Sequence, residues 1–264
     1  MEFLRASQHK NIMSELLYVL LNIALVAVLF ALIYVSGQVA LAFLLVLLSK
    51  WRVLAVRVRY WRANILANLV DISVGLGVVA LMHMASSAQP GMVLWLQLGL
   101  AAFYALWLIY IKPLSSKKAM LLQALLGLFI GAWAIMALSY TMPLAVVVLL
   151  LFAVGYGAAR HALAVHEEEQ LSFLSLVFGL LVAELGWAMY HWNIGYGLAS
   201  MGDLMVPQAA IFIALGGFAT ERAYAAISAK KSLLDTEYLV PIVFSVAVIA
   251  VLLLFFSSAG AGIV

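Results

Sequence analysis

The chain has 264 residues, 67% of them hydrophobic and only 9% charged, with a formal net charge of +3. A soluble domain is about half apolar and a quarter charged, so this composition calls for lipid, and a small net charge with no soluble domain excludes nucleic acid as a partner. With no cysteine, disulfides, iron–sulfur clusters, thiolate nucleophiles and Cys-based zinc sites are excluded as well.

The apolar residues come in blocks of about twenty, the length that crosses a ~30 Å hydrocarbon core at ~1.5 Å per residue. Runs such as residues 145–159 do not alternate, which argues against a transmembrane barrel. The expected fold is an all-α polytopic transmembrane bundle, a single integral membrane domain over residues 1–264. Its nine expected spans lie at about 16–35, 38–56, 63–84, 92–111, 119–139, 143–163, 171–191, 207–228 and 238–257.

In chain order, residues 1–15 mix both charge signs and precede an apolar block too long for a cleaved leader, which reads as a retained signal anchor. Only Ser36-Gly37-Gln38 interrupts residues 16–49. A single helix there would be about 51 Å long, beyond the bilayer even when tilted, so a turn is expected. The alternative of one tilted helix gives eight spans and moves the N-terminus outside. Next, Lys50, Arg52, Arg57, Arg59 and Arg62 crowd five cations among Trp51, Tyr60 and Trp61. This cluster is a topology determinant and a contact for anionic lipid at the cytoplasmic face, worth about 1 kcal/mol per residue near the surface, or for a docking partner.

Asp71 falls eight residues into the third expected span, about 12 Å from its inner edge. Asn64, Asn68 and Asp71 share one helical stripe that must face protein or water. A central Asp costs ~2.5–3.5 kcal/mol to insert, so this residue either bonds helices together or serves a proton, cation or amine on a transport path. In the seventh span, Glu184, Trp187 and His191 lie on one face, as a proton relay or as ordinary interhelical and interfacial groups. His83 and His191 end their helices at a common level near Met82 and Met84. Thioether and imidazole together suit copper and paired histidines suit haem, but neither motif is complete and methionine commonly fills apolar gaps, so no cofactor is expected.

Gly127 and Gly131 form a GxxxG packing motif. The Gly-rich connection 193–206 is long enough to fold back over Glu184 and His191. Adjacent Glu221 and Arg222, about 100° apart on a helix, must find partners elsewhere or snorkel, and Arg160, His161, His166 and Glu167 to Glu169 are within reach, as a solvated loop with incidental pairs or as an ion-pair gate. HEEE at 166–169 lacks the second His of a zinc motif, and no nucleophile elbow, phosphate loop or mid-span Lys is present.

With the N-terminus inside, all 14 Lys and Arg fall in loops or helix ends on one side, which places the C-terminus outside. The expected setting is a bacterial-type cytoplasmic membrane. The expected function is a permease or ion-coupled carrier using Asp71 and Glu184. The alternatives are a structural or assembly subunit, with a second copy or a membrane-complex partner, and an outer-face copper- or haem-binding protein.

Overall fold

Leu and Ala runs lose little freedom on entering a helix, and a segment in lipid must satisfy its own backbone polar groups, so the apolar blocks, valines included, wind as helices. The computed structural model describes residues 12–197 and 199–256; Arg5, Lys10 and residues 259–264 lie outside these, as does the side chain of Arg52. Eight of the described helices are long and apolar enough to cross a membrane. They are α1 (Ile12–Tyr34), α4 (Leu69–Met84), α5 (Pro90–Leu106), α6 (Lys117–Ala137), α7 (Leu144–Val165), α8 (Leu171–Tyr190), α9 (Gln208–Ser228) and α10 (Thr236–Phe255). Between them lie the short α2 (Val39–Ser49) and α3 (Trp61–Ala67). The strands β1 (Gly195–Tyr196) and β2 (Val206–Pro207) pair antiparallel and pin the ends of the long connection before α9.

Two expectations change here. The chain does turn at Ser36-Gly37-Gln38, with Gly37 at φ +64°, but the helix expected over 38–56 ends at Ser49. At 11 residues α2 is about 16 Å long, half the hydrocarbon thickness. Two single-turn 3₁₀ segments, Trp51–Val53 and Val58–Tyr60, follow it. The helix expected over 63–84 breaks at Asn68, whose backbone (φ −105°, ψ 4°) leaves the helical basin. The Asn68 side-chain amide donates to the Asn64 carbonyl at 2.8 Å, competing for an acceptor that a continuous helix would use. Asp71 therefore lies in the first turn of α4, and Asn64, Asn68 and Asp71 do not form one unbroken stripe.

The bundle has two cores joined by α6. One gathers α1, α2, α4 and α5 around Leu29, Val46, Val78, Leu81 and Trp107. The other gathers α7 and α9 on the opposite face of α6 around Leu151, Val154 and Ile213. The two glycines of the GxxxG motif serve one partner each: a Cβ on Gly127 would stand 2.7 Å from Val70 Cγ1 of α4, and one on Gly131 would stand 2.8 Å from Val154 Cγ1 of α7. The perimeter is apolar, with Leu17, Leu21, Phe173, Leu180, Phe244 and Leu254 all exposed, far more than a soluble monomer presents.

Since a valine side chain is stiff at χ1 and cannot swing away, Gly127→Ala forces α6 and α4 apart. It should lower stability by about 1–3 kcal/mol, the usual range for overpacking. Gly216→Ala meets nothing within 4 Å and should leave the thermal midpoint of the detergent-purified protein unchanged.

Candidate functional site

Asp71 is buried, and its carboxylate takes three side-chain donors. Its Oδ2 accepts from Lys50 Nζ at 2.6 Å and from Lys112 Nζ at 2.7 Å, and its Oδ1 accepts from Trp107 Nε1 at 3.1 Å. Lys50 follows the last residue of α2 and is 8% exposed; Lys112 is 38% exposed. The last turn of α5 helps to present these donors. Residues Trp107–Ile111 wind as a π-turn, closed by Lys112 N donating to the Trp107 carbonyl at 2.8 Å. The carbonyls freed below that turn are taken by Gln123 of α6, whose Nε2 donates to Ile111 O at 2.7 Å and to Leu114 O at 2.9 Å. Gln123 Oε1 then accepts from His161 Nε2 of α7 at 3.0 Å, which fixes the proton on that ring nitrogen. One polar chain thus ties α2, α4, α5, α6 and α7 at a single end of the bundle, here called the basic end. The Asp71 carboxylate has three donors and faces no cavity described below.

Beside this chain, toward α8 and α9, the packing opens. A cavity of about 480 Å³ lies between α6, α7, α8 and α9, within the range of small-molecule sites. It runs along α6 from Lys118 to Leu128, about 15 Å. Its walls are apolar, with Leu121, Leu125, Ala158, Ala162, Phe178 and Leu181 among them. Its polar groups gather at the basic end: Lys118, His166, Glu221, Arg222 and Tyr224. Glu221 is 14% exposed and accepts from His166 Nε2 at 3.3 Å and from Arg222 Nη2 at 2.5 Å. Tyr224 donates its hydroxyl to Glu168, which also accepts from Gln170 N at 2.9 Å. The Tyr224 hydroxyl, the larger influence, and this backbone N–H hold the Glu168 carboxyl below the usual carboxylate range.

The remaining sequence candidates fall elsewhere. Glu184 is exposed on α8 among the exposed Leu180, Leu181 and Leu185, and the described residues offer it no partner. His191 stacks edge-on against Trp187 and Tyr190, at 5.8 and 5.5 Å. Met82 and Met84 are buried in the core, whereas His83 between them faces out, so these three do not share a ligand face. Among the described residues no group of three His, Asp or Glu stands close enough to hold a metal ion.

Of the basic cluster, Lys50 turns inward to Asp71 rather than out to lipid. Arg57, Arg59 and Arg62 stay exposed, Arg59 lying 4.6 Å above the Tyr60 ring. The connection 193–206 does not fold over Glu184. Its backbone is tied to Ser87, Gln89 and Trp133, and Leu204 is buried in the first core. Arg222 pairs with its own neighbour Glu221, because its long arm bends back across the 100° between them. Lys112, Trp107 and Gln123 complete the Asp71 site without having been singled out in the sequence, and the cavity has no sequence motif.

No protein-family model, curated protein or solved structure matches the chain.

Removing the Asp71 charge strands two ammonium groups, one of them buried. Asp71→Asn should therefore destabilise the protein by about 3–5 kcal/mol, as expected when one partner of a buried pair is lost. Lys50→Met leaves Asp71 with Lys112 and Trp107 and should cost clearly less. Thermal unfolding of the two variants in the same detergent checks the order.

Proposed function

We propose that the chain is an integral membrane permease that carries an amphiphile, with the α6–α9 cavity as its substrate site. The observation that supports this most is the shape of the cavity's chemistry: an apolar body about 15 Å long, with charged and hydrogen-bonding groups confined to one end. A water-soluble ion would need polar contacts along its whole path. A molecule with one apolar chain and one polar head needs only this division. The carrier reading thus keeps its class but moves from Asp71 and Glu184 to Glu221, Arg222, His166 and Lys118.

The proposed orientation puts the basic end at the cytoplasmic face. Lys50, Lys112, Lys118 and Arg222 all belong to it, as the positive-inside rule requires. The Tyr18 hydroxyl near the start of α1 donates to Leu108 O near the end of α5 at 2.6 Å, which supports an inside N-terminus. Although α2 is short, it returns the chain to the level of Asp71, and the nine passes that leave the C-terminus outside follow. The cavity then opens in the cytoplasmic leaflet.

One observation favours a second reading, an assembly subunit: an unpartnered Glu184 in an apolar outer face is costly in lipid and would be relieved against another membrane chain.

In proteoliposomes, a fluorescently labelled single-chain amphiphile should cross between leaflets faster than in protein-free vesicles. Ala162→Phe, which fills the cavity without touching its charges, should reduce that excess rate at least tenfold. Equal rates with and without protein would overturn the carrier reading.

A further inference from the structure

Resting on that reading, we infer that the amphiphile's head is an anion, a phosphate or carboxylate, and that Lys118 and Arg222 are the groups that receive it.

The mouth of the cavity has its acceptors occupied and its donors spare. Both Glu221 oxygens are taken, one by His166 and the other by Arg222. Glu168 is engaged by Tyr224 and Gln170. The Thr220 hydroxyl donates into its own helix, to Gly216 O at 2.8 Å. Glu167 and Glu169 are exposed on the α7–α8 connection and do not line the cavity.

The donors stand differently. Lys118 lines the cavity and has no acid or hydrogen-bond acceptor among the described residues. Arg222 directs Nε and Nη2 at a single oxygen of Glu221, so its Nη1 edge is left for a further acceptor. Its guanidinium is held in place over the Phe218 ring at 5.9 Å. With Glu221 matched by Arg222, the lining keeps the charge of Lys118. A cationic head would find no free carboxylate in this lining and would face Lys118 directly. An anionic head would take up the spare donors, with charge-assisted bonds roughly twice as strong as neutral ones.

The test uses the full chain in neutral dodecyl maltoside and reads the saturable rise in unfolding temperature with three probes: dodecyl phosphate, dodecyltrimethylammonium and inorganic phosphate. Dodecyl phosphate should half-saturate at a concentration at least tenfold below dodecyltrimethylammonium, and inorganic phosphate, which the micelle does not concentrate beside the cavity, should give no shift over the same range. Lys118 is exposed and has no partner among the described residues, so its replacement should not disturb folding. Lys118→Gln should weaken dodecyl phosphate about tenfold, the loss of one hydrogen bond to a charged group. Lys118→Glu should reverse the preference between the two chains.

Equal or tighter binding of the cationic chain would overturn the anionic head while leaving an amphiphile in the cavity. Saturation by inorganic phosphate at the concentration that suffices for dodecyl phosphate would mean that the mouth reads a free anion, and would overturn the lipid-like source. If neither chain binds saturably and Ala162→Phe changes nothing, the cavity reading itself falls, and this inference with it.

Discussion

A carboxylate sealed among helices must be given partners, and meeting that demand at Asp71 shapes one half of this protein. Removing an ion from water costs several kcal/mol even after relaxation, and only well-placed opposite charges and hydrogen bonds offset it. Here the offset comes from Lys50 at the end of α2, Lys112 just past α5, and the Trp107 indole. Each requires a departure from a plain spanning helix: α2 stops at Ser49, the chain breaks at Asn68 so that Asp71 falls in the first turn of α4, and the end of α5 widens into a π-turn. These three irregularities lie beside one side chain. An acid in the first turn of a helix also meets the positive end of its dipole, a further favourable contact for the carboxylate.

The two halves of the bundle are closed differently, and burial is uneven among the helices. In α4 two-thirds of the most apolar window is buried, against 22% in α9 and 11% in α10. The first half is closed by ion pairs and a dense core. The second is hollow at the basic end, where α8 and α9 approach across Gly217 and Phe178 and then separate around the cavity. Local opening is drawn from regions with few buried contacts, so on the proposed reading the movement that admits a ligand belongs to the thinly buried α9 and α10, while α4 belongs to the frame. Helix α6 serves both, carrying Gln123 toward the frame and Lys118 at the mouth of the cavity.

Helices α6 to α10 were legible from apolar block length, to within two residues at each end, because a block's length and composition decide a span almost alone; α1 starts four residues earlier than expected, α4 six later, and α5 gives way to its π-turn five residues early. Asp71 was legible as a residue in need of partners, for the right physical reason. Its partners were not, because a lysine at the edge of an apolar block reads as a solvated loop charge, and nothing local says that Lys50 turns inward to meet an acid 21 positions away. The break at Asn68 was hidden by its apolar surroundings, which suit a continuous helix. The cavity was hidden more deeply. Ala124, Ala158, Ala159, Ala162 and Gly217 read as small residues for close helix packing, as they do at Gly127 and Gly131. Whether small residues draw helices together or leave a void depends on what stands opposite, and that is a property of the assembled bundle.

On the proposed orientation, the segregated lysines and arginines do more than set topology. Of these, Lys50 and Lys112 are consumed by Asp71, whereas Lys118 and Arg222 stand at the mouth of the cavity. If the cavity is the proposed substrate site, this division bears on how an apolar site inside a bilayer selects its ligand. Hydrocarbon next to Leu and Ala side chains is no better solvated than hydrocarbon among lipid tails, so the hydrophobic term that drives ligands into soluble pockets is nearly absent here. The walls of the cavity can accept a chain but cannot distinguish it from the surrounding lipid. Discrimination must come from the few groups at the polar end, acting in a medium less screened than water, where a single unmatched charge outweighs many apolar contacts. In such a site the head decides which molecule enters, and the chain decides only whether it fits.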